Sequence, residues 1–301
     1  MYPTQPDYRF CRKQKRGRLP GAPEKAEPLP VWARMLVGQL PLTTARLLEL
    51  DALHRTGERL DQRLRALARW SAADANECEY GKALAAADFA RSGARTDLAD
   101  LAKQPERLSL TERVAVVFAS KMMTAAYSVT DAEVAQLLDL LGEERLVALV
   151  LLLAHASYQD RIFLALDVQE EADIPPPITT RFARARPAPP AHAAPALSEI
   201  AGESVVTRQW QQQRAELEKQ KARPGRIRIP AKEEMLARMG EGNPLAWQAG
   251  LAWSRVCYTF QPELTDAWFG CTGAFRQETN LDMVLQNSVF WVITEVLQCF
   301  Y

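Results

Sequence analysis

Two cysteines recur in matching surroundings, each two residues before a tyrosine: Cys78-Glu79-Tyr80 and Cys299-Phe300-Tyr301. A thiol can attack a peroxide or a disulfide once a base or a neighbouring positive charge favours its thiolate. Glu295 stands one helical turn before Cys299 and is placed to act as such a base. Cys78 has no second cysteine beside it and reads as a small buried hydrophobe. Cys11, Cys257 and Cys271 are widely and unevenly spaced, which suits reduced thiols and a cytoplasmic protein better than a disulfide framework. The three histidines, His54, His155 and His192, form no Cys-x-x-Cys or His-Glu-x-x-His pattern, so neither a metal nor another cofactor is expected. His155 falls in an apolar stretch and reads as a satisfied core histidine.

The elements that must position these thiols are helices. Leu47, Leu48, Leu50 and Leu53 share one helical face, and the same period recurs through Leu60 to Trp70 and Val114 to Met123. Thr130 and Glu133 form a capping box, Gly142 punctuates the helix that follows, and Glu143 to Leu166 reads as a buried closing helix. No strand series appears, so the expected fold class is all-α, built from two helical units. The expected organisation is a basic leader over residues 1–28, a first helical domain over 29–168, a Pro/Ala-rich linker over 169–204 and a second, incomplete domain over 205–301. The linker carries Pro175, Pro176, Pro177, Pro187, Pro189 and Pro190, which favour a stiff extended tether. A charged, Gln-rich helix is expected over Val205 to Ala222, broken by Arg223 to Pro230.

The chain repeats itself. Val31 to Tyr80 aligns without a gap on Ala252 to Tyr301, pairing Trp32 with Trp253, Arg34 with Arg255, Pro41 with Pro262, Thr44 with Thr265 and Arg55 with Arg276. The register continues through Leu60/Leu281, Asp61/Asp282, Leu64/Leu285, Trp70/Trp291, Cys78/Cys299 and Tyr80/Tyr301. These identities far exceed the roughly three expected from ordinary residue usage, and three of them are Trp or Cys, the rarest types. The repeated device is a Leu-Asp helix start, a Trp on the helix, and Cys-x-Tyr eight residues beyond it.

These features resemble the carboxymuconolactone decarboxylase and alkyl hydroperoxidase D-like superfamily, whose redox members carry Cys-x-Tyr-Cys-x-x-x-His. The resemblance covers most of the first half, including Val129 to Glu133 and Tyr158 to Arg161, and about fifty residues of the second half. It implies an all-helical homo-oligomer that reduces a peroxide or disulfide substrate with a cysteine pair, a Glu, a His and a thiol reductant. Carried over by position, the second cysteine of the first unit falls on Gly81, the His on Ala85 and the upstream Glu on Ala66, so that unit is expected not to turn over. In the second unit the upstream Glu falls on Asn287, Glu295 could replace it, and Cys299 occupies the first motif position. Some relatives carry selenocysteine at the reactive position, and the sequence is expected to continue past Tyr301 with Cys or selenocysteine and then a His.

The functional expectation is therefore a peroxidase-like thiol or selenol oxidoreductase with its reactive centre beginning at Cys299 in the second unit. The alternative is a non-catalytic helical oligomerisation module with degenerate redox sites. Lactone-acid chemistry, as in other branches of the superfamily, would need a His or carboxylate site that the sequence does not place. Lys plus Arg and Asp plus Glu balance at 37 each, which argues against nucleic acid or an anionic membrane as partner. The longest apolar run, Leu146 to Ala154, is about half of what a bilayer requires. The tryptophans at helical spacing in both copies read as core scaffold, not as a stacking platform for bases.

Overall fold

The computed structural model describes residues 29–178, 225–240 and 245–296, together with Gln211, Arg214, Ala215, Gly242 and Asn243. Among the described residues the chain is all-helical, with eleven α-helices and no strand. The leader, most of the linker, the expected 205–222 helix except for Gln211, Arg214 and Ala215, Cys299 and the side chain of Glu295 lie outside the described residues.

The first seven helices are α1 (Val31–Leu36), α2 (Pro41–Thr56), α3 (Gln62–Ala75), α4 (Glu79–Arg91), α5 (Leu98–Ala102), α6 (Leu110–Ala125) and α7 (Asp131–Ala165). Their boundaries follow from caps. Asp61 accepts the Leu64 amide at 2.9 Å to start α3, and two capping boxes, Ser109/Glu112 and Thr130/Glu133, start α6 and α7. Gly142, at φ 74°, interrupts α7, a conformation that a residue with a Cβ seldom adopts. α3 is the central helix, packed against α4, α6 and α7. Leu64, Ala68 and Ala72 of α3 meet Phe118 of α6 and Leu149 and Leu153 of α7 in the largest core cluster. A second cluster joins α1, α2 and α4 to the end of α7, where Phe163 lies 6.3 Å from Trp32 and 4.7 Å from Tyr80, ring to ring.

Residues 169–178, at the start of the expected linker, lie on this unit. Glu171 accepts hydrogen bonds from the Val31 amide, Arg34 and the Tyr80 hydroxyl, while the Pro175 carbonyl accepts from Arg55. Ile174 is buried beneath them.

The later helices are α8 (Lys232–Met239), α9 (Ala252–Phe260), α10 (Pro262–Glu278) and α11 (Met283–Val296). α10 packs along α2, and its Ala267 and Cys271 enter the core cluster that holds Trp32 and Leu48. At one end of this pair the Glu278 carboxylate accepts the Leu42 and Thr43 amides, each at 2.7 Å, and the Thr43 hydroxyl. A carboxylate there meets otherwise unpaired amides and the positive end of the α2 dipole.

The aligned segments share local geometry. Leu40 and Gln261, which precede Pro41 and Pro262, have φ/ψ of −131°/62° and −141°/62°. Thr44 and Thr265 each donate a hydroxyl hydrogen bond of 2.7 Å four residues back. Asp282 accepts the Leu285 amide at 2.9 Å, as Asp61 accepts that of Leu64. The environments differ. Trp32 and Trp70 are buried, as expected of scaffold, whereas Trp253 and Trp291 are 38% and 49% exposed. The cause is the neighbourhood: α3 is covered by α4, α6 and α7, and α11 has no comparable packing against another described helix.

Candidate functional site

Cys78 stands at the junction of α3 and α4, held by its amide bonding to the Ala73 carbonyl at 2.9 Å. Its side chain is 1% exposed. Burial, reinforced by the neighbouring Asp160 carboxylate, pushes the thiol up to about 11, so at neutral pH it is a protonated group. Residues with the right chemistry therefore approach Cys78 with the wrong sign: an anion beside a thiol opposes the thiolate.

Asp160 belongs to a buried ion pair with Arg69. The guanidinium donates to Asp160 at 2.5 and 3.2 Å, and Asn76 donates to the same carboxylate at 2.9 Å. Asp160 is fully buried and Arg69 is 6% exposed. This pair fills the space where the resemblance puts a resolving cysteine. A Cβ built on Gly81 would stand 2.5 Å from the Asp160 carboxylate, 2.9 Å from the Arg69 guanidinium and 3.0 Å from the Ala73 Cβ. Position 81 is glycine because two charged groups occupy the volume a side chain would need.

A second buried polar group lies between α2 and α7. Asp51 accepts from Gln159 at 2.7 Å and from Arg55 at 3.0 Å, and Arg55 also grips Asp88 of α4 at 2.7 and 2.8 Å. Burial alone would raise Asp51, but Arg55, with His155 and Gln159 behind it, holds its carboxyl well below the usual range. His54 and His155 stack at 4.4 Å with an interplanar angle of 11°. Burial, and then the adjoining His155 ring, pushes His54 well below its ordinary value, so it is a neutral imidazole.

His155 differs from the satisfied core histidine that its sequence context suggests. Both of its ring nitrogens are buried without a hydrogen-bond partner, and the nearer Asp51 oxygen is 3.8 Å from Nε2, too far for a hydrogen bond. The ring lines a small inner void of about 30 Å³, together with Asp51, His54, Arg65, Arg69 and Gln159. Ala66 and Ala85, where the resemblance would put the Glu and the His, line the same void. Next to it, sharing His54, Arg65 and Leu152, opens a cavity of about 630 Å³ between α2, α7 and the start of α10.

Of the expected site residues, the structure places Cys78 in this network, whereas Cys299 and the Glu295 side chain lie outside the described residues. The other described thiols, Cys257 and Cys271, are raised by burial to about 11 and 12. Among the described residues no group of three or more His, Cys, Asp or Glu could hold a metal ion, and no helix is long and apolar enough to cross a membrane. Sequence reasoning missed the network itself. Its signal was present as polar residues at helical spacing inside apolar stretches: Asp51, His54 and Arg55 on one helix, His155, Gln159 and Asp160 on another.

No protein-family model matches the chain, no curated protein matches it in sequence, and no solved structure matches it in fold.

Proposed function

We propose that this chain is a peroxidase-like thiol oxidoreductase of the carboxymuconolactone decarboxylase and alkyl hydroperoxidase D-like kind, with its reactive centre in the second repeat at Cys299. In this reading the first repeat is a structural partner without redox turnover. The observation that carries it is the contrast between the two motif positions. Cys78 is sealed, protonated and faced by an anion, while the sequence repeat aligns Cys299 with it three residues beyond α11, a helix whose described apolar side chains are largely exposed. Glu295, one turn before Cys299, is the proposed base, a peroxide or disulfide is the proposed substrate, and an external thiol restores the enzyme.

The surroundings of α11 favour a homo-oligomer. Val284, Phe290, Val292 and Val296 are between 59% and 77% exposed, and Trp291 is half exposed. A largely apolar helix of this kind is normally covered in the working assembly.

Trapping with dimedone after a stoichiometric dose of hydrogen peroxide tests the reading. The adduct is expected on Cys299, retained in Cys78→Ser and lost in Cys299→Ser. An adduct confined to Cys78, or none at all, contradicts it and favours the non-catalytic helical module.

A further inference from the structure

The cavity beside His54 belongs to none of the thiol chemistry. Its interior and its rim are chemically distinct. Leu152, Ala148 and His54 are buried within it, whereas Glu58, Arg59 and Glu263 are exposed and stand at the mouth. Arg59 is already engaged, 2.5 Å from Glu144.

Arg65 is the interior cation. It donates one guanidinium nitrogen to the Gly57 and Leu60 carbonyls, and among the described residues no carboxylate lies within ion-pair distance of it. The two acids whose charge acts on it are hydrogen-bonded elsewhere: Asp61 caps α3, and Asp88 is held by Arg55 and Arg91. Burial disfavours its charge and these two acids offset that without direct contact, so an anion brought to it adds an ion pair that the described residues do not supply.

A further feature points the same way. The start of α10, Pro262 to Leu264, opens onto the cavity, and the side chain of its N-cap residue Gln261 is turned to the Glu144 carbonyl and does not cap it. The counterpart start of α2 is occupied by the Glu278 carboxylate, which shows what such a helix start accepts in this fold.

We propose that this cavity is a binding site for a small organic carboxylate, its carboxyl group between Arg65 and the α10 N-terminus and its apolar body against Leu152 and Leu264. A volume of about 630 Å³ lies within the range of small-molecule sites. The apolar wall is what separates this ligand from a simple inorganic anion. The rim carboxylates Glu58 and Glu263 disfavour highly charged ligands and restrict the site to a monoanion.

Calorimetric titration of the full chain with benzoate, benzyl alcohol and inorganic phosphate tests the proposal. Benzoate should saturate at roughly millimolar concentration or below, benzyl alcohol should bind about tenfold more weakly, and phosphate should not compete. Arg65→Gln should weaken benzoate about tenfold, and Leu264→Trp, which crowds the wall against which the apolar body lies, should weaken it at least as much. Should Arg65→Gln fail to fold, Leu264→Trp and the alcohol comparison still decide. Failure of benzoate to saturate, equal binding by benzyl alcohol, competition by phosphate, or undiminished binding in Leu264→Trp each overturns the proposal. Because Cys299 is untouched by every variant, dimedone trapping reads out independently of this site.

Discussion

Replacing Arg69 by Met is expected to destabilise the protein by about 3–5 kcal/mol, the cost typical of leaving a buried charge without its partner. Asp160 is 0% exposed, and without the guanidinium its carboxylate would keep the Asn76 hydrogen bond at 2.9 Å but no cation. The Met side chain matches the volume of the arginine stem, so the loss comes from charge and not from a cavity. Chemical denaturation of the two single variants and of Arg69→Met/Asp160→Leu separates these effects. The double variant should recover most of the loss, because removing both charges removes the desolvation cost with them. A double variant as unstable as the sum of the singles would show that packing, not the ion pair, is what matters there.

Gly81→Cys is the second large effect. By position it restores the Cys-x-x-Cys pattern with Cys78, yet it is expected to destabilise by about 1–3 kcal/mol and to bring no peroxide reduction. The new Cβ meets the Asp160 carboxylate at 2.5 Å and the Arg69 guanidinium at 2.9 Å, and both groups are buried and hydrogen-bonded, so neither can swing aside cheaply. Even where a thiol is accommodated, Cys78 remains beside Asp160 and protonated at neutral pH. Denaturant midpoints and peroxide consumption check both parts. A stable Gly81→Cys variant with peroxide turnover that depends on Cys78 would show that the first repeat has kept its redox capacity.

The helical class and several helix starts were legible because their signals are local. Thr130 and Glu133 lie three residues apart and form the capping box that their types suggest, with the Thr130 amide 2.7 Å from the Glu133 carboxylate. The repeat was legible because Trp, Cys and Pro identities are rare enough to stand out, and Asp61 and Asp282 do the same capping work. The polar network was not legible because its partners are distant in sequence: Asp51 meets Gln159 across 108 residues and Arg69 meets Asp160 across 91. A polar residue within an apolar stretch says that a partner exists, without saying where. The α2/α10 contact depended on Glu278 reaching Leu42 and Thr43 across 236 and 235 residues, which no local pattern encodes. Likewise, Trp70 and Trp291 look alike in sequence, and only their neighbours decide that one is 8% and the other 49% exposed.

In the proposed function, reactive thiol chemistry belongs to Cys299 and not to Cys78. The most direct test is the rate of alkylation of each cysteine in the native full chain at neutral pH, read by mass spectrometry after peptide separation. Modification of Cys299 is expected on the order of a hundredfold faster than that of Cys78, Cys257 or Cys271, whose thiols desolvation keeps protonated. Cys78 reacting as fast as Cys299, or Cys299 as slow as the other three thiols, would contradict that function.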